Sequence, residues 1–567
     1  MQAPAHPPAG PVGAHAHAPG AASPVPAALR NRHAWIAVVL IAVAAAVLAL
    51  RAAGYGLLGW DTYPLILTSR IATVGDLARI FTERLMQGLY PSEFYRPLVN
   101  LTIAFDHAVW GLRPAGYHLT TVILFAACAA ALYRLMARLA GRGARIAPLA
   151  GLLFFLLHPS HVEVIPVVAR HAELLSGLFM ALALSAHLAP RRLRDRGLPW
   201  LPALLALPAY LAKESAYILP ALAFLTILLY APTDAPRTGL TPRLRPAARA
   251  LIPHAIALAI ALLARFAVLG HWGGHTTTGL TGALGRFPSY FGAMMKWVLL
   301  PQETMQRSGT AIALLLLLAA GLTATLLLAA SRHAAPAGGP RAHAPLITPL
   351  AAGAVHPLRM ASLGAAWLFL IGIVYAVAAE MSPWYMFLPA MGLAMLCGGL
   401  GEALVRAARP APAGAGRHTD RARVTHAAGL RSLAGRGIAA GTFLLLVLLL
   451  LGQARFSPLV YPYYEWREAT RVGEQFLDQI RIQLAESPPG TVLEGPPVPT
   501  WVLPAAERAG RPRVYGAAIF AEYTLQAWSG LVFPDRNILV KVAPEASHAQ
   551  AGRDQVLLVL TRRLPGF

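Results

Sequence analysis

At 567 residues, 56% hydrophobic and only 13% charged, with mean hydropathy +0.54, the chain is too apolar for a soluble protein, in which about a quarter of residues carry charge. The formal net charge of +23 raises nucleic acid as a partner. Once spans are drawn with the N-terminus inside, however, nearly all the excess Arg and Lys falls on the inner loops and helix ends, so the basicity is a topology signal and no nucleic acid is expected. The two cysteines, Cys128 and Cys397, lie inside apolar segments, which argues against a disulfide framework.

In chain order, residues 1–33 are rich in Ala, Pro, Gly and His and read as a disordered cytoplasmic tail. Its His6, His15, His17 and His33 fit low-complexity composition better than a metal site. No cleavable signal peptide is evident, so the first span is expected to stay as an anchor. Residues 34–454 read as a transmembrane domain of eleven spans, roughly 35–53, 114–138, 146–158, 172–189, 199–211, 216–230, 249–269, 309–330, 361–379, 385–404 and 436–453. Spans 146–158 and 199–211 are too short to cross alone as ideal helices, a form tolerated beside a protein-lined cavity. Residues 331–360 and 405–435 read as inner linkers.

The outer loop 54–113 holds Trp60-Asp61-Thr62-Tyr63 directly after the first span. Its segments 71–88 and 98–111 read as amphipathic helices along the interface, with Trp110 as an anchor. Residues 455–567 read as a small extracytoplasmic α/β domain. Its opening helix, near Tyr464–Glu486, carries a stripe of Val472, Phe476, Ile480 and Leu484, and strand-like runs follow at Asn537–Val542 and Gln555–Thr561. The expected fold is therefore an all-α polytopic membrane protein with a small α/β appendage. The topology points to a multi-pass protein of a bacterial inner membrane, and abundant Ala, Gly, Pro and Arg, with lysines only at 213, 296 and 541, point to a GC-rich genome.

Polar motifs recur at the outer ends of apolar segments: Arg96-Pro97-Leu98-Val99-Asn100, Gly116-Tyr117-His118, His158-Pro159-Ser160-His161-Val162-Glu163 and Lys213-Glu214-Ser215. Ionisable groups at membrane depth are costly and lean functional. Plainer roles stand beside that one: Arg96 snorkelling to the interface, Lys213-Glu214 forming a local pair, His271 and His275 in a solvated Gly/Thr-rich loop. The spacing of His158, His161 and Glu163 loosely matches metal ligands, yet structure or phosphate-side hydrogen bonding is favoured over a metal.

Taken in order, Tyr95-Arg96-Pro97-Leu98, the stretch Leu101–Gly111 with Asp106 and Trp110, Gly116-Tyr117-His118-Leu119, the His158 motif, Ala212-Lys213-Glu214-Ser215 and Tyr385-Met386-Phe387-Leu388-Pro389 resemble the GT-C superfamily of polyprenyl-phosphate-sugar-dependent glycosyltransferases. The likeness is greatest to the membrane half of transmembrane–tetratricopeptide O-mannosyltransferases and their bacterial relatives. Departures are visible. Thr62 stands where the family shows a second acid, and Pro383-Trp384 replaces its Glu-Arg pair. An Arg expected after the His-Pro motif is displaced to Arg170 beside His171. No tetratricopeptide repeats follow.

The resemblance implies a sugar on a polyprenyl phosphate as donor, inverting attack by an acceptor hydroxyl at the outer face, and Asp61 as general base. Arg96, His118, Lys213 and Arg170 are then candidates for the donor phosphate, with Asp106, His158, His161, Glu163 and Glu214 in support. It implies no cofactor and no obligatory metal, although a divalent ion would be compatible. The partners it implies are the lipid-linked donor, membrane lipid and an acceptor that is protein, lipid or glycan. Two alternatives stay open: a non-catalytic relative acting as a binding or scaffold protein, and a lipid or solute transporter.

Overall fold

The computed structural model describes residues 27–90, 92–141, 144, 146–188, 200–230, 241–271, 280–299, 355–408, 425–495, 498–499, 501–502, 517–542 and 560–563. It is mostly helical, and the expected span 309–330, the His-rich start of the tail and His275 lie outside those residues.

Helix α1 (Ala27–Ala52) leads into a segment built of α2 (Thr62–Ser69), α3 (Val74–Thr82) and α4 (Pro97–Trp110). A capping box starts α3: the Thr73 hydroxyl accepts from Asp76 N, and the Asp76 carboxylate accepts from Thr73 N. Helices α5 (Pro114–Ala140), α6 (Ala147–Leu156), α7 (His171–His187), α8 (Leu201–Ala212) and α9 (Leu219–Tyr230) follow. Proline sits in the first turn of α4, α5, α6 and α8, where the missing N–H costs nothing. Then come α10 (Thr241–Leu269), α11 (Leu280–Leu299), α12 (Val355–Ala378), α13 (Phe387–Ala408) and α14 (Thr425–Arg455).

Ten of the eleven expected spans fall on described helices, and the eleventh, 309–330, lies outside the described residues. Among the described residues six helices are long and apolar enough to cross a membrane: Arg32–Ala52, Pro114–Ala140, Val168–His187, Ala247–Leu269, Pro357–Ala378 and Pro383–Arg406. The expected spans 146–158, 199–211, 216–230 and 436–453 correspond to the shorter apolar helices Ala147–Leu156, Leu201–Ala212, Glu214–Tyr230 and Ala439–Arg455. Helix α11 has no counterpart among the expected spans; its Phe287 and Phe291 stack on each other and meet Phe369 of α12. The chain is a multi-pass membrane protein.

The core runs along α13, which lies against α12 on one side and α6 on the other, while α7 joins α5 to α8. In lipid, water exclusion does not drive helices together, so small residues set how closely they pack. A Cβ on Gly364 would fall 2.5 Å from Leu396 N and 2.6 Å from Gly392 O. One on Gly398 would fall 2.5 Å from Ala147 O. Those contacts hold α12 and α6 against α13 at backbone distance.

Beyond α14 comes the amphipathic helix α15 (Tyr464–Ala485), then β1 (Thr491–Gly495), β2 (Trp501–Val502), β3 (Ala517–Ala518), α16 (Thr524–Val532), β4 (Leu539–Val542) and β5 (Leu560–Arg563). Strand β1 is central, parallel to β4 and antiparallel to β5, while β2 and β3 form an antiparallel pair. The buried stripe of α15 contains Phe476, Ile480 and Leu484 as the periodicity predicts, joined by Trp466, Gly473 and Leu477, while Val472, expected in the stripe, is half-buried.

Candidate active site

The break between α8 and α9 shows how local structure places charge. Helix α8 stops at Ala212 and Lys213 is extended (φ −161°, ψ 142°) before the 3-10 turn Glu214–Ile218. Around such a kink the two consecutive side chains part. The Lys213 ammonium pairs with Glu173, in the first turn of α7, and sits 4.3 Å over the Tyr385 ring. Glu214 instead accepts from the Arg96 terminal nitrogen at 2.7 Å, from Arg96 Nε at 3.2 and 3.4 Å on its two oxygens, and from Arg265 at 2.6 Å. Lys213 and Glu214 are thus partners in two cross-helix pairs. Arg96 is the residue before α4, and its guanidinium also stacks 4.1 Å over Phe94.

Arg170 stands at the start of α7, where its guanidinium lies 3.8 Å over the Trp384 ring and its buried Nε has no hydrogen-bond partner among the described residues. It is within electrostatic reach of Asp61, Glu163, Glu173 and Tyr385. Glu163, buried in the 3-10 turn Pro159–Glu163, has an Oε1 with no partner among the described residues. Burial pushes its carboxyl up to about 8, against the pull of Arg170.

Asp61 is half-buried at the N-cap of α2. An aspartate there ordinarily caps its helix, but this side chain makes no capping bond. Its Oδ1 accepts a 2.6 Å hydrogen bond from the Tyr523 hydroxyl, which comes from the segment after β3. The site is therefore a layer of cations and aromatic rings (Arg96, Arg170, Lys213, Trp384, Tyr385) with the Asp61 carboxylate beside Arg170. A guanidinium with an open Nε is suited to an anion, and the half-buried carboxylate to accepting a proton.

The remaining residues singled out from sequence sit around this layer. His118 Nε2 is 3.1 Å from the Gly56 carbonyl, bracing the chain just before Asp61. Asp106 is buried in α4, with Oδ1 accepting from Thr120 at 2.5 Å and Oδ2 lying 3.9 Å from His171 Nδ1; burial pushes its carboxyl up to about 7. His158 bonds Ser160 Oγ (2.7 Å) and the Val298 carbonyl (2.8 Å). His161 lies 2.5 Å from the Phe155 carbonyl, edge-on to Phe125 and Phe155. Burial pushes both imidazoles down, to about 4 and about 3, so each is a neutral packing group. His271 pairs with Glu93 at 3.0 Å. Among the described residues no three His, Cys, Asp or Glu side chains converge as a metal site.

Sequence reasoning did not name Glu173, Arg265 or Tyr523. Arg265 is a charge within an apolar span, a signal that was available. Glu173 closely follows Arg170-His171, at the start of the expected span 172–189. Tyr523 has no local sequence signal, because its contact is made 462 residues away.

No family model matches the chain. Protein O-mannosyl-transferase TMTC2 of Mus musculus is 36% identical over 94 residues, 17% of this chain and 11% of that protein. Human TMTC2 is 35% identical over 94 residues with the same coverage, and Tmtc1 of Drosophila melanogaster 31% over 122 residues, 22% of this chain and 14% of the fly protein. The matched stretch thus spans about a tenth of the relatives' length, and they are the class that the ordered motifs resemble. Among solved structures, ArnT from Cupriavidus metallidurans bound to undecaprenyl phosphate is 15% identical with a TM-score of 0.45, over 89% of each chain. Its apo state is 16% identical at the same TM-score, over 90% of each.

Proposed function

We propose that the chain is a membrane glycosyltransferase that moves a sugar from a polyprenyl-phosphate donor to an acceptor hydroxyl at the outer face, with inversion. The observation that carries this reading is the placement of Asp61 beside Arg170 in a layer that also holds Arg96 and Lys213. The similarity to O-mannosyl-transferases supports the reaction class and makes mannose the first sugar to test.

In this reading the acceptor oxygen bonds to the anomeric carbon while the bond from that carbon to the phosphate oxygen breaks. The hydroxyl proton goes to Asp61 and the electron pair leaves with the polyprenyl phosphate. Arg170 meets the charge that develops on the phosphate, being stacked on Trp384 and having Nε open. Lys213 and Arg96, held by Glu173 and Glu214, add fixed positive potential at its edge. The residues require no metal for this sequence of events.

The test is release of polyprenyl phosphate from labelled polyprenyl-phosphate mannose, with crude membranes as acceptor, for the wild type and Asp61→Asn. Losing a general base lowers the rate by about a hundredfold to ten-thousandfold. Full activity in Asp61→Asn removes Asp61 from the mechanism, and a wild type that binds donor without cleaving any across acceptors favours a non-catalytic binding protein.

A further inference from the structure

The described part of the chain beyond the last apolar helix does more than lie beside the site. Four contacts tie it, in order, to the loop after α1. Gly56 N donates to Thr470 Oγ1 (3.0 Å), Gly59 N to the Ile519 carbonyl (3.0 Å), Thr524 Oγ1 to the Trp60 carbonyl (2.8 Å) and Tyr523 to Asp61 (2.6 Å). Apolar contacts back them: Tyr63 packs on Phe520 with ring centroids 6.0 Å apart, and Tyr90 on Tyr523 at 5.9 Å. Thr524 also receives Ala521 N at 2.8 Å, which fixes the turn carrying Tyr523. The phenol is thus held from both sides at the moment it meets the carboxylate.

We propose that Tyr523 is a positioning residue for Asp61, so that the segment following β3 completes the reaction centre by orienting its base. An aspartate side chain left to itself at this N-cap would divide its time between solvent and the Tyr63 amide, since Thr62 N already donates to the Gly59 carbonyl and Pro64 has no N–H. The phenol holds Oδ1 away from them and leaves Oδ2, with its own lone pairs, for the acceptor hydroxyl. Tyr523 touches neither donor nor acceptor; it acts through Asp61. The inference rests on the reading of Asp61 as general base.

The test uses the full-length protein in nanodiscs with polyprenyl-phosphate mannose and crude membrane acceptors. Tyr523→Phe keeps the ring against Tyr90 and removes only the hydroxyl. Expected is a fall in kcat of about tenfold to a hundredfold, the worth of one hydrogen bond to a charged group, with the donor KM and the melting temperature unchanged. In the Asp61→Asn background the same substitution should cost nothing further. Full kcat in Tyr523→Phe with a dead Asp61→Asn overturns the positioning role and leaves the catalytic reading intact. An active Asp61→Asn overturns the catalytic reading, and the positioning role with it. A loss of kcat that follows a lowered melting temperature and a changed KM assigns Tyr523 to stability and also overturns the proposal. Should Tyr523→Phe fail to fold, Thr524→Val, which releases the turn from Trp60, is expected to give the same kcat loss at unchanged KM, and full activity there overturns it equally.

Discussion

Glu163 shows what a single buried carboxyl does to the molecule. It is almost completely covered, 4% exposed, its Oε1 has no partner among the described residues, and burial carries its carboxyl from the ordinary 4.5 to about 8. A raised folded-state value means that the folded protein holds the proton after the unfolded chain has released it. Stability is therefore full below about 4.5 and is lost as pH rises towards about 8. The melting temperature of detergent-solubilised protein should fall across that window, and Glu163→Gln should flatten the fall. An unchanged slope would mean that Arg170 already holds Glu163 ionised. The sequence placed Glu163 in a motif with His158 and His161, and spacing alone left metal, phosphate and packing roles open. What separated them is three-dimensional: two histidines bonded to backbone carbonyls, and one glutamate facing Arg170.

At the scale of elements, packing rather than polarity decides which helices meet. Gly364 of α12 and Gly392 of α13 bring two backbones so close that an added methyl would overlap main-chain atoms, which cannot rotate away. Gly364→Ala should therefore cost about 1–3 kcal/mol, the usual penalty for overpacking a filled core, read as a lowered unfolding midpoint in detergent. Gly401, on the same helix α13, has open space where its Cβ would lie, and Gly401→Ala serves as the control. Equal midpoints for the two variants would mean that α12 and α13 part easily. Hydropathy made most of these helices legible, since their apolar runs are long. It could not count spans where helices are short or broken, because α6, α8 and α9, of 10, 12 and 12 residues, are each shorter than the roughly 20 residues a span needs. Helix α11 escaped because its amphipathic Phe287–Phe291 face, with Pro288 inside, does not read as a uniform apolar run.

At the scale of the whole molecule, one geometric fact links topology to chemistry. Because Gly56, Gly59, Trp60 and Asp61 are bonded to Thr470, Ile519, Thr524 and Tyr523, the helix α15 and the segment up to α16 must lie on the same side of the membrane as the candidate base. The side on which α15 is found is then the side on which Asp61 lies. The proposed reading takes that side as the outer one, opposite the arginine-rich linkers, from the charge distribution in the sequence. The protein offers a direct readout, since its own cysteines, Cys128 and Cys397, are buried and should stay silent to a membrane-impermeant thiol reagent. In intact cells, or spheroplasts if the host has an outer membrane, Glu486→Cys, exposed just after α15, should label at once. Arg32→Cys, exposed at the start of α1, should label only after permeabilisation. The reverse pattern would place Asp61 and its ring of cations on the inner face, and the donor headgroup would then have to be met on the cytoplasmic side. Labelling of both positions in intact cells would mean that α1 does not cross, and the outer-face assignment would lose its support in the charge pattern.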